Sequence, residues 1–445
     1  SIKDVNSSMT ALVERPLTIV AALLFLPSTA LALNNAVDVA IIGGGPCGLA
    51  TAIALSKAPY LQGRVAVFEK DQYRPKGASI QISGAGWSAL KAIDGIATSR
   101  VHATSTPVSS LRFRTFAGID LAQPPRLLVR LLGVVFAVLR LFGVRKGLSR
   151  THLWHDVRTV LRERARKLLG DNALRAGHEL RSLSEEADAI ALRFKVDGDE
   201  EMHVQARLVL ACDGTRSTVR ALTPEPADLL LDEGKSVWRG TSPSVDPRGC
   251  ATFYRGENGE SALIFPAGLE HGASWTVIAP VLAGRSTTPE QARERLKGAL
   301  PEDTETALLD VIAKSESIIE HKLVTRNFDK PWTSAVSRIA YLGDASHPLR
   351  PTGEGTALAF EDAWSLGDLA CRSESLATFL QPATLRTFEE SRRERVRAVS
   401  DAVKASANRF YDRKSKQAPE TGPMSVAEAM KAYPMQYTSL RGPGE

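Results

Sequence analysis

Residues 37–57 read VDVAIIGGGPCGLATAIALSK. The segment Val37–Ile42 is mostly apolar and β-branched, which is typical of a strand buried on both faces. Gly43, Gly45 and Gly48 follow in the spacing G-x-G-x-x-G, and the apolar run after them predicts a helix. In such a unit the first glycine permits a tight turn, the second lets backbone approach a diphosphate, and the third lets the helix pack on the strand. This stretch therefore predicts a Rossmann-like dinucleotide-binding domain.

A second strand is predicted within QGRVAVFEK, and it ends at Glu69. Glu69 lies about 20 residues after the last glycine, where a carboxylate can accept a hydrogen bond from a ribose 2′-hydroxyl. An acid at this position favours an unphosphorylated adenosine ribose, so the ligand is NAD or FAD rather than NADP. The free N–H groups and the dipole of the first helix would face the phosphates.

Two later stretches also combine a strand with a Gly/Asp turn. Residues 206–220 read ARLVLACDGTRSTVR, and residues 338–366 read RIAYLGDASHPLRPTGEGTALAFEDAWSL. The first of these follows a predicted hairpin that turns at Asp197-Gly198. A ligand as long as FAD needs several contacts along its length, so the three stretches together indicate FAD more strongly than any one alone.

In this order the stretches resemble the class A FAD-dependent monooxygenases, the family of para-hydroxybenzoate hydroxylase. LVLACDGTRSTVR resembles that family's GADG..S.vR segment, and LGDASHPLRPTGEGTALAFEDA resembles its GDAAH…P..GQG…EDA segment. Weaker similarities lie between them in YRPKGASIQI, SRTHLWHDVRTVL, VWRGTSP and LIFPAG. The resemblance covers roughly residues 36–400. It implies an α/β fold, in which a Rossmann-like FAD-binding domain is interrupted by a mixed β-sheet substrate domain.

The resemblance also implies a set of cofactor-binding residues. These are Gly43, Gly45, Gly48, Glu69, Lys70 and Arg74 at the ADP half, Arg150 at the phosphate or ribose region, Asp213 and Gly214 near the diphosphate, Gly343 and Asp344 at the ribityl chain, and Pro351, Gly353, Gly355 and Thr356 against the isoalloxazine. A helix starting near Thr356 would stabilise negative charge on reduced flavin. The loop before it is one residue shorter than the family pattern, and Glu354 replaces the family's glutamine.

The function implied by the resemblance is monooxygenation. NADPH or NADH would reduce FAD, O2 would form a flavin C4a-hydroperoxide, and an aromatic or lipophilic small molecule would be hydroxylated or epoxidised. Two alternatives stay open: an FAD-dependent reductase of an isoprenoid or quinone-like substrate, and a non-catalytic flavin-binding scaffold. No motif identifies a catalytic base, and the candidates are His347, Tyr254 and His271.

Composition excludes several other classes. The chain has 445 residues, 43% of them hydrophobic and 24% charged, which is ordinary for a globular protein with room for two domains. The four cysteines and eight histidines show no metal-binding or paired spacing, so neither a metal site nor a disulfide framework is expected. The net charge of +6 is not accompanied by interleaved aromatic residues, so nucleic-acid binding is not expected either.

Two apolar segments lie outside the enzyme pattern. Residues 17–33, LTIVAALLFLPSTALAL, resemble the core of a signal peptide or a membrane anchor. Residues 125–147 contain Arg130 and Arg140, which make a membrane-spanning helix costly. An amphipathic helix in peripheral contact with a membrane, or a helix packed on the substrate domain, fits this segment better. Localisation stays open between an organelle or secretory route, a membrane-anchored protein and a cytoplasmic one.

The predicted organisation has two domains that alternate along the chain, with an extra segment at each end. A leader or anchor (1–35) comes first, and a loosely ordered tail (416–445) comes last. The FAD-binding domain comprises residues 36–105, 148–222 and 330–415, the last of which includes a C-terminal helix. The substrate domain comprises residues 106–147, which contain the apolar, basic insertion, and residues 223–329.

Overall fold

The computed structural model describes residues 36–74, 78–121, 149–186, 188–197, 200–223, 230–268, 272–280, 286, 288–334, 338–411 and 425–441. The predicted leader, the apolar segment 125–147 and His271 lie outside these residues, so the membrane contact of that segment stays a prediction. Among the helices of the described ranges, none is long and apolar enough to cross a bilayer. In the same ranges, no group of three or more His, Cys, Asp or Glu side chains could hold a metal ion.

The strands and helices alternate early in the chain and are grouped later. The strands are β1 (Ala36–Ile42), β2 (Val65–Glu69), β3 (Ser79–Gln81), β4 (Thr106–Val108), β5 (Ser110–Thr115), β6 (Ser149–Leu153), β7 (Leu174–Ala176), β8 (Glu179–Glu185), β9 (Ile190–Lys195), β10 (Glu201–Ala211), β11 (Leu231–Ser242), β12 (Cys250–Arg255), β13 (Ser261–Pro266), β14 (Ala273–Pro280), β15 (Ser317–Thr325) and β16 (Ile339–Tyr341). The α-helices are α1 (Pro46–Leu55), α2 (Gly84–Ile93), α3 (Gly95–Ala103), α4 (Trp154–Leu169), α5 (Thr218–Leu222), α6 (Pro289–Ala299), α7 (Thr306–Ala313), α8 (Gly355–Arg372), α9 (Leu376–Phe379), α10 (Pro382–Tyr411) and α11 (Val426–Ala432).

The first sheet has the strand order β7-β2-β1-β10-β9-β8, and β16 pairs with the carboxyl end of β10. Strand β1 lies between β2 and β10 and is parallel to both. Its residues from Val39 to Ile42 are buried because side chains cover both faces of the sheet. The carboxyl ends of β1, β2, β10 and β16 consequently meet at one edge, where ligands bind in open α/β sheets.

The predicted hairpin before the second motif is confirmed. Strands β9 and β10 are antiparallel, and Lys195 pairs with Glu201 on either side of the turn. The long strand β10 then continues as a neighbour of β1, which brings the second motif beside the first.

The second sheet has the strand order β15-β11-β14-β13-β12-β5. One face is covered by α6 and α7 and buries an apolar cluster that includes Trp238 and Trp275. The opposite face lies towards the first domain, because Val108 of β4 packs there against Ala251 and Phe265. The predicted fold class, a Rossmann-like α/β domain interrupted by a mixed sheet, is confirmed.

The tail differs from expectation between residues 425 and 441. Helix α11 begins with a complete capping box formed by Ser425 and Glu428. Further along, the backbone N–H of Leu440 donates to the carbonyl of Ala92 at 2.9 Å, and Leu440 is buried. Sequence reasoning treated this region as loosely ordered because its prolines and glycines dominate the local pattern, whereas long-range contacts fix it to the FAD-binding domain.

A buried histidine should make stability depend on pH. His152 of β6 is 0% exposed beside the Trp87 ring, and burial lowers its pKa to about 4. Unfolded histidine has a pKa of about 6.5, so protons bind preferentially to the unfolded state below that value. We expect the free energy of unfolding to fall by about 2 kcal/mol between about pH 7 and about pH 5 through this residue.

Chemical denaturation at the two pH values checks this expectation. His152→Gln should reduce the difference between them, whereas His203→Gln, at an exposed position on β10, should leave it in place. An equal pH dependence in wild type and His152→Gln would contradict the assignment.

Candidate cofactor site

The turn between β1 and α1 requires two of its glycines for close backbone contacts. Gly43 has φ +108°, and a Cβ added there would lie 2.4 Å from the carbonyl oxygen of Cys212. A Cβ on Gly48 would lie 2.0 Å from the carbonyl oxygen of Gly43. Helix α1 begins at Pro46, and its N-cap residue Gly45 has no side chain that could cap it, so the first N–H groups of the helix are available to an anion.

Glu69 is bound to the same turn. Its Oε2 accepts a hydrogen bond of 2.7 Å from the backbone N–H of Gly44, and its Oε1 accepts one of 3.0 Å from Asp71. The predicted ribose-binding carboxylate is thereby fixed beside the diphosphate-binding loop. Lys70 and Arg74 follow it with exposed side chains.

The second motif places Asp213 and Gly214 just after β10. One oxygen of Asp213 accepts a hydrogen bond of 3.0 Å from the N–H of Val219, and burial raises the pKa of the carboxyl. Its other oxygen, Oδ1, is buried with no partner among the described residues. Thr215 donates a hydrogen bond of 3.3 Å to Asp344, which joins the second motif to the third.

The third motif contacts the first as well. Gly343 has φ +58°, and a Cβ there would lie 3.0 Å from the Sγ of Cys47. The side chain of its neighbour Asp344 is accessible to solvent. Protein nevertheless surrounds its carboxyl, and the resulting desolvation raises the pKa of that group. A group that is accessible but enclosed in this way lines a cleft. The cleft is therefore bordered by all three motifs.

The loop Pro351–Thr356 leads into α8 at the same cleft. Gly353 has φ +99°, and a Cβ on Gly355 would lie 3.7 Å from Oδ1 of Asp344. The N-cap residue Glu354 provides no side-chain cap, so the first N–H groups of α8 are available. Burial raises the pKa of the Glu354 carboxyl, and its Oε2 has no partner among the described residues.

Arg150 is anchored to Ser105, in the short connection between α3 and β4. Its Nη2 donates a hydrogen bond of 3.1 Å to the carbonyl of Ser105, and its Nε donates to the hydroxyl of the same residue. The contact with an FAD phosphate or ribose, which the resemblance implies for this residue, stays a prediction.

Two of the three candidate bases, His347 and Tyr254, have buried side chains that are paired with carboxylates. Nε2 of His347 lies 2.6 Å from Oδ2 of Asp362, and both side chains are 0% exposed. Tyr254 lies on the helix-covered face of the second sheet, where its hydroxyl donates to Glu305 and burial raises its pKa. The alternation of side chains along β12 puts Phe253, not Tyr254, on the face towards the FAD-binding domain. In this arrangement neither side chain is therefore exposed to the cleft, and a base role for either of them stays a prediction.

Sequence reasoning missed the cleft-facing row of the second sheet. Paired positions on successive strands bring together Phe113, Phe253, Leu263, Thr276 and Arg239. The Phe113 and Phe253 rings are stacked with centroids 5.1 Å apart. At the end of this row opposite Phe113, burial lowers the pKa of Arg239, and the Nε of Arg239 has no hydrogen-bond partner within the described ranges. The signal in the sequence was the two-residue alternation of the substrate-domain strands.

His321 lies on the same face, one row away from Arg239. It pairs with Val237 across β11 and β15, and desolvation lowers its pKa to about 4, with Arg239 adding to the effect. The imidazole is consequently neutral near pH 7, and its unprotonated nitrogen can accept a hydrogen bond. Nothing local in the sequence distinguishes it from a surface histidine.

Comparison with known proteins supports this arrangement. The family described as FAD binding domain matches residues 150–403. The 3-amino-4-hydroxybenzoate 2-monooxygenase of Streptomyces platensis is 27% identical over 85% of this chain and 89% of that protein. The 3-(3-hydroxy-phenyl)propionate/3-hydroxycinnamic acid hydroxylase of Escherichia coli is 26% identical over 85% of this chain and 63% of that protein.

Solved structures show the same fold. Klebsiella pneumoniae HpxO, in complex with FAD and uric acid, superposes with a TM-score of 0.64 and 20% identity over 89% of this chain and 91% of that one. The 2,6-dihydroxypyridine-3-hydroxylase of Arthrobacter nicotinovorans gives a TM-score of 0.64 and 18% identity over 88% and 96% of the two chains.

Proposed function

Because this chain belongs to the FAD-binding domain family and is an FAD-dependent monooxygenase of aromatic compounds, we propose that it hydroxylates a phenol that carries an acidic group, with NADH or NADPH as reductant. The observation that carries the proposal is the convergence of the three motifs on one cleft. Thr215 contacts Asp344, and Gly343 lies against Cys47.

The residues of the cleft fit FAD. The glycine turn leaves no room for a side chain at Gly43 or Gly48, and the N-terminus of α1 offers unsatisfied N–H groups for a diphosphate. Glu69 stands where the ribose is expected, and the accessible carboxylate of Asp344 can accept hydrogen bonds from ribityl hydroxyls. The N-terminus of α8 would stabilise negative charge on the isoalloxazine. When bound, FAD supplies the electron transfer and the activation of O2.

The second sheet would hold the substrate over the cofactor. Leu263, Thr276 and Arg239 lie on three successive strands, which puts Arg239 about 10 Å from Leu263. That spacing suits an aromatic ring on the apolar end and a carboxylate at the guanidinium. The named substrates of the two relatives, an aminohydroxybenzoate and a hydroxyphenylpropionate, both combine a phenol with a carboxylate. The sheet would also exclude water, which limits release of hydrogen peroxide.

A combined assay tests the function. Purified protein should show flavin absorbance and should oxidise NADH or NADPH with O2 uptake only when a phenolic acid is added, giving a product one oxygen atom heavier. Bound flavin with NAD(P)H oxidation, substrate reduction and no O2 uptake would indicate a reductase instead. Protein that takes up no FAD would contradict the proposal altogether.

Arg239→Met tests the substrate class. Loss of a charge-assisted hydrogen bond should lower kcat/KM for a phenolic acid by about 10- to 100-fold, because such bonds contribute about 1.5–3 kcal/mol. The corresponding uncharged amide should be affected much less. Arg193→Met, which changes an exposed arginine on β9, is the matched control. Equal losses for acid and amide would argue against a carboxylate at Arg239.

A further inference from the structure

An ion pair joins the loop before α8 to the substrate sheet. The Nε of Arg350 donates a hydrogen bond of 2.5 Å to Oε2 of Glu233. Arg350 comes directly before the loop Pro351–Thr356, whereas Glu233 lies near the start of β11. The two residues are 117 positions apart in the chain. The pair therefore connects the loop that borders the cofactor cleft with the sheet that would hold the substrate.

This ion pair is largely shielded from solvent. The side chain of Glu233 is 12% exposed and that of Arg350 is 23% exposed. Next to Glu233, Asp232 pairs with Lys322, and those two side chains are 41% and 48% exposed. A charge-assisted hydrogen bond is stronger than a neutral one, and salt screens a partly buried pair less than a surface pair. Of these two neighbouring pairs, the one at Arg350 is thus better suited to hold two segments in a fixed arrangement.

A β-bulge places Glu233 outside the regular pairing of β11. The register between β11 and β15 shifts between Asp232 and Ser236, and Gly234 within this stretch has φ +68°. The backbone N–H of Gly234 donates a hydrogen bond of 2.9 Å to Oδ1 of Asp232, which stabilises the irregular turn. Bulges bend a strand and redirect its side chains, and they are common beside functional sites. The bulge explains how a residue of this sheet reaches a loop of the other domain.

The FAD-binding domain contacts the same loop. A Cβ added at Gly353 would lie 3.1 Å from Oε1 of Gln81, so the Gln81 side chain packs against the loop. The backbone N–H of Thr352 donates a hydrogen bond of 2.8 Å to the carbonyl of Arg350, which closes a tight turn directly after the ion pair. A displacement of Arg350 would therefore move this turn, and with it the residues that border the cleft.

Strand β11 also carries the cation proposed to bind the substrate. Arg239 follows the bulge on the same strand and lies in the cleft-facing row. It is close enough to Asp344 for the two charges to attract each other. One strand thus carries both Arg239, at the proposed substrate site, and Glu233, which binds the residue before the flavin loop.

We propose that the Arg350–Glu233 ion pair positions the loop Pro351–Thr356 against the isoalloxazine, so that the flavin ring and a substrate bound on β11 keep a fixed separation. The inference rests on the proposed function, because it requires FAD in the cleft and a substrate on the sheet. Arg350 and Glu233 are positioning residues, since they act through the loop and do not contact the reacting atoms. Without the pair, the loop should separate from the ring and admit water.

Visible circular dichroism of the oxidised holo-protein tests the position of the ring without turnover. A flavin ring held in one orientation by protein has a stronger signal than free FAD. Arg350→Met and Glu233→Gln should each reduce this signal by about half, because loss of a charge-assisted hydrogen bond shifts the loop towards other positions. Glu233→Gln keeps the size of the side chain, so the test remains available if Arg350→Met does not fold.

The same variants should separate NAD(P)H oxidation from hydroxylation. With a phenolic acid present, each should release about 3- to 10-fold more hydrogen peroxide per NAD(P)H oxidised than wild type. The double variant Arg350→Met/Glu233→Gln should show no more than the larger single effect, because both changes remove one interaction. Lys322→Met, which removes the exposed pair beside the bulge, is the matched control and should behave as wild type.

Additive effects in the double variant would overturn the proposal, because they would show that Arg350 and Glu233 act independently. It is equally overturned if both single variants keep the circular dichroism and the peroxide release of wild type. Wild-type protein that binds FAD but hydroxylates no phenolic acid would instead refute the proposed function. In that case the circular dichroism of the variants still decides whether the pair positions the loop.

Discussion

Gly48→Ala should yield a protein that is purified without flavin and is destabilised by about 3 kcal/mol. The added Cβ would lie 2.0 Å from the carbonyl oxygen of Gly43 and 3.2 Å from the Cβ of Cys212. The nearest atom belongs to backbone, so no side-chain rotation can relieve the clash. The turn must therefore open, which moves the N–H groups of α1 away from the diphosphate. Flavin absorbance and chemical denaturation measure the two effects.

The control for this prediction is Gly95→Ala. Gly95 is the first residue of α3, and a Cβ added there meets no heavy atom within 4 Å. Alanine should be neutral or stabilise the protein by up to about 1 kcal/mol, since it lowers the entropy of the unfolded chain. A Gly48→Ala protein that retained flavin at wild-type stability would show that the turn is not constrained as described.

Arg392→Met should have the largest effect on stability, about 3–5 kcal/mol. The guanidinium of Arg392 lies between Asp362 and Glu361, with nitrogen–oxygen distances of 2.8 Å to each, and all three side chains are 0% exposed. Methionine removes the positive charge that both carboxylates share, so two adjacent buried anions are no longer fully neutralised. Asp362 also accepts the N–H of Gly343, so the turn that carries Asp344 should loosen and FAD should bind less tightly.

Arg397→Met provides the comparison from the same helix. Arg397 is 37% exposed and pairs with Glu394 and Asp329 at the surface. Such exposed pairs contribute about 0–1 kcal/mol. Urea denaturation of both variants should separate them by several kcal/mol. Similar losses would mean that the buried network does not stabilise the FAD-binding domain as its geometry indicates.

The first motif was predictable because its chemistry is local. The glycine spacing, the strand before it and the acid at Glu69 specify a turn whatever the rest of the chain does. The direction of Arg150 was not predictable, because it depends on Ser105, a partner 45 residues earlier in the chain. Similarly, the alternation of side chains along β12 places Phe253 and Tyr254 on opposite faces of the second sheet. Which of them faces the cleft depends on the face against which α6 and α7 pack.

Beside the glycine turn, Arg158 packs between the rings of Trp154 and Tyr73, and Arg162 packs on the Tyr73 ring. This cluster left a partial signal in the sequence. Trp154, Arg158 and Arg162 share a helix face, which their spacing predicts, but the positive φ of Tyr73 has no counterpart in its residue type. The order of residues 425–441 was missed for a different reason. It depends on contacts from Arg395 and Glu361 to that segment, and a charged helix such as α10 is ordinarily read as solvated.

Strand β1 near the beginning of the described chain pairs with β10, and β10 pairs in turn with β16, more than a hundred residues further on. During translation the glycine turn is therefore synthesised long before the second and third motifs, which complete the cofactor cleft. Tyr437, whose hydroxyl donates a hydrogen bond to Glu361 of α8, is synthesised later still. We expect the nascent polypeptide to bind flavin only after β16 has been synthesised and has paired with β10, so folding of this domain passes through an open, cofactor-free intermediate.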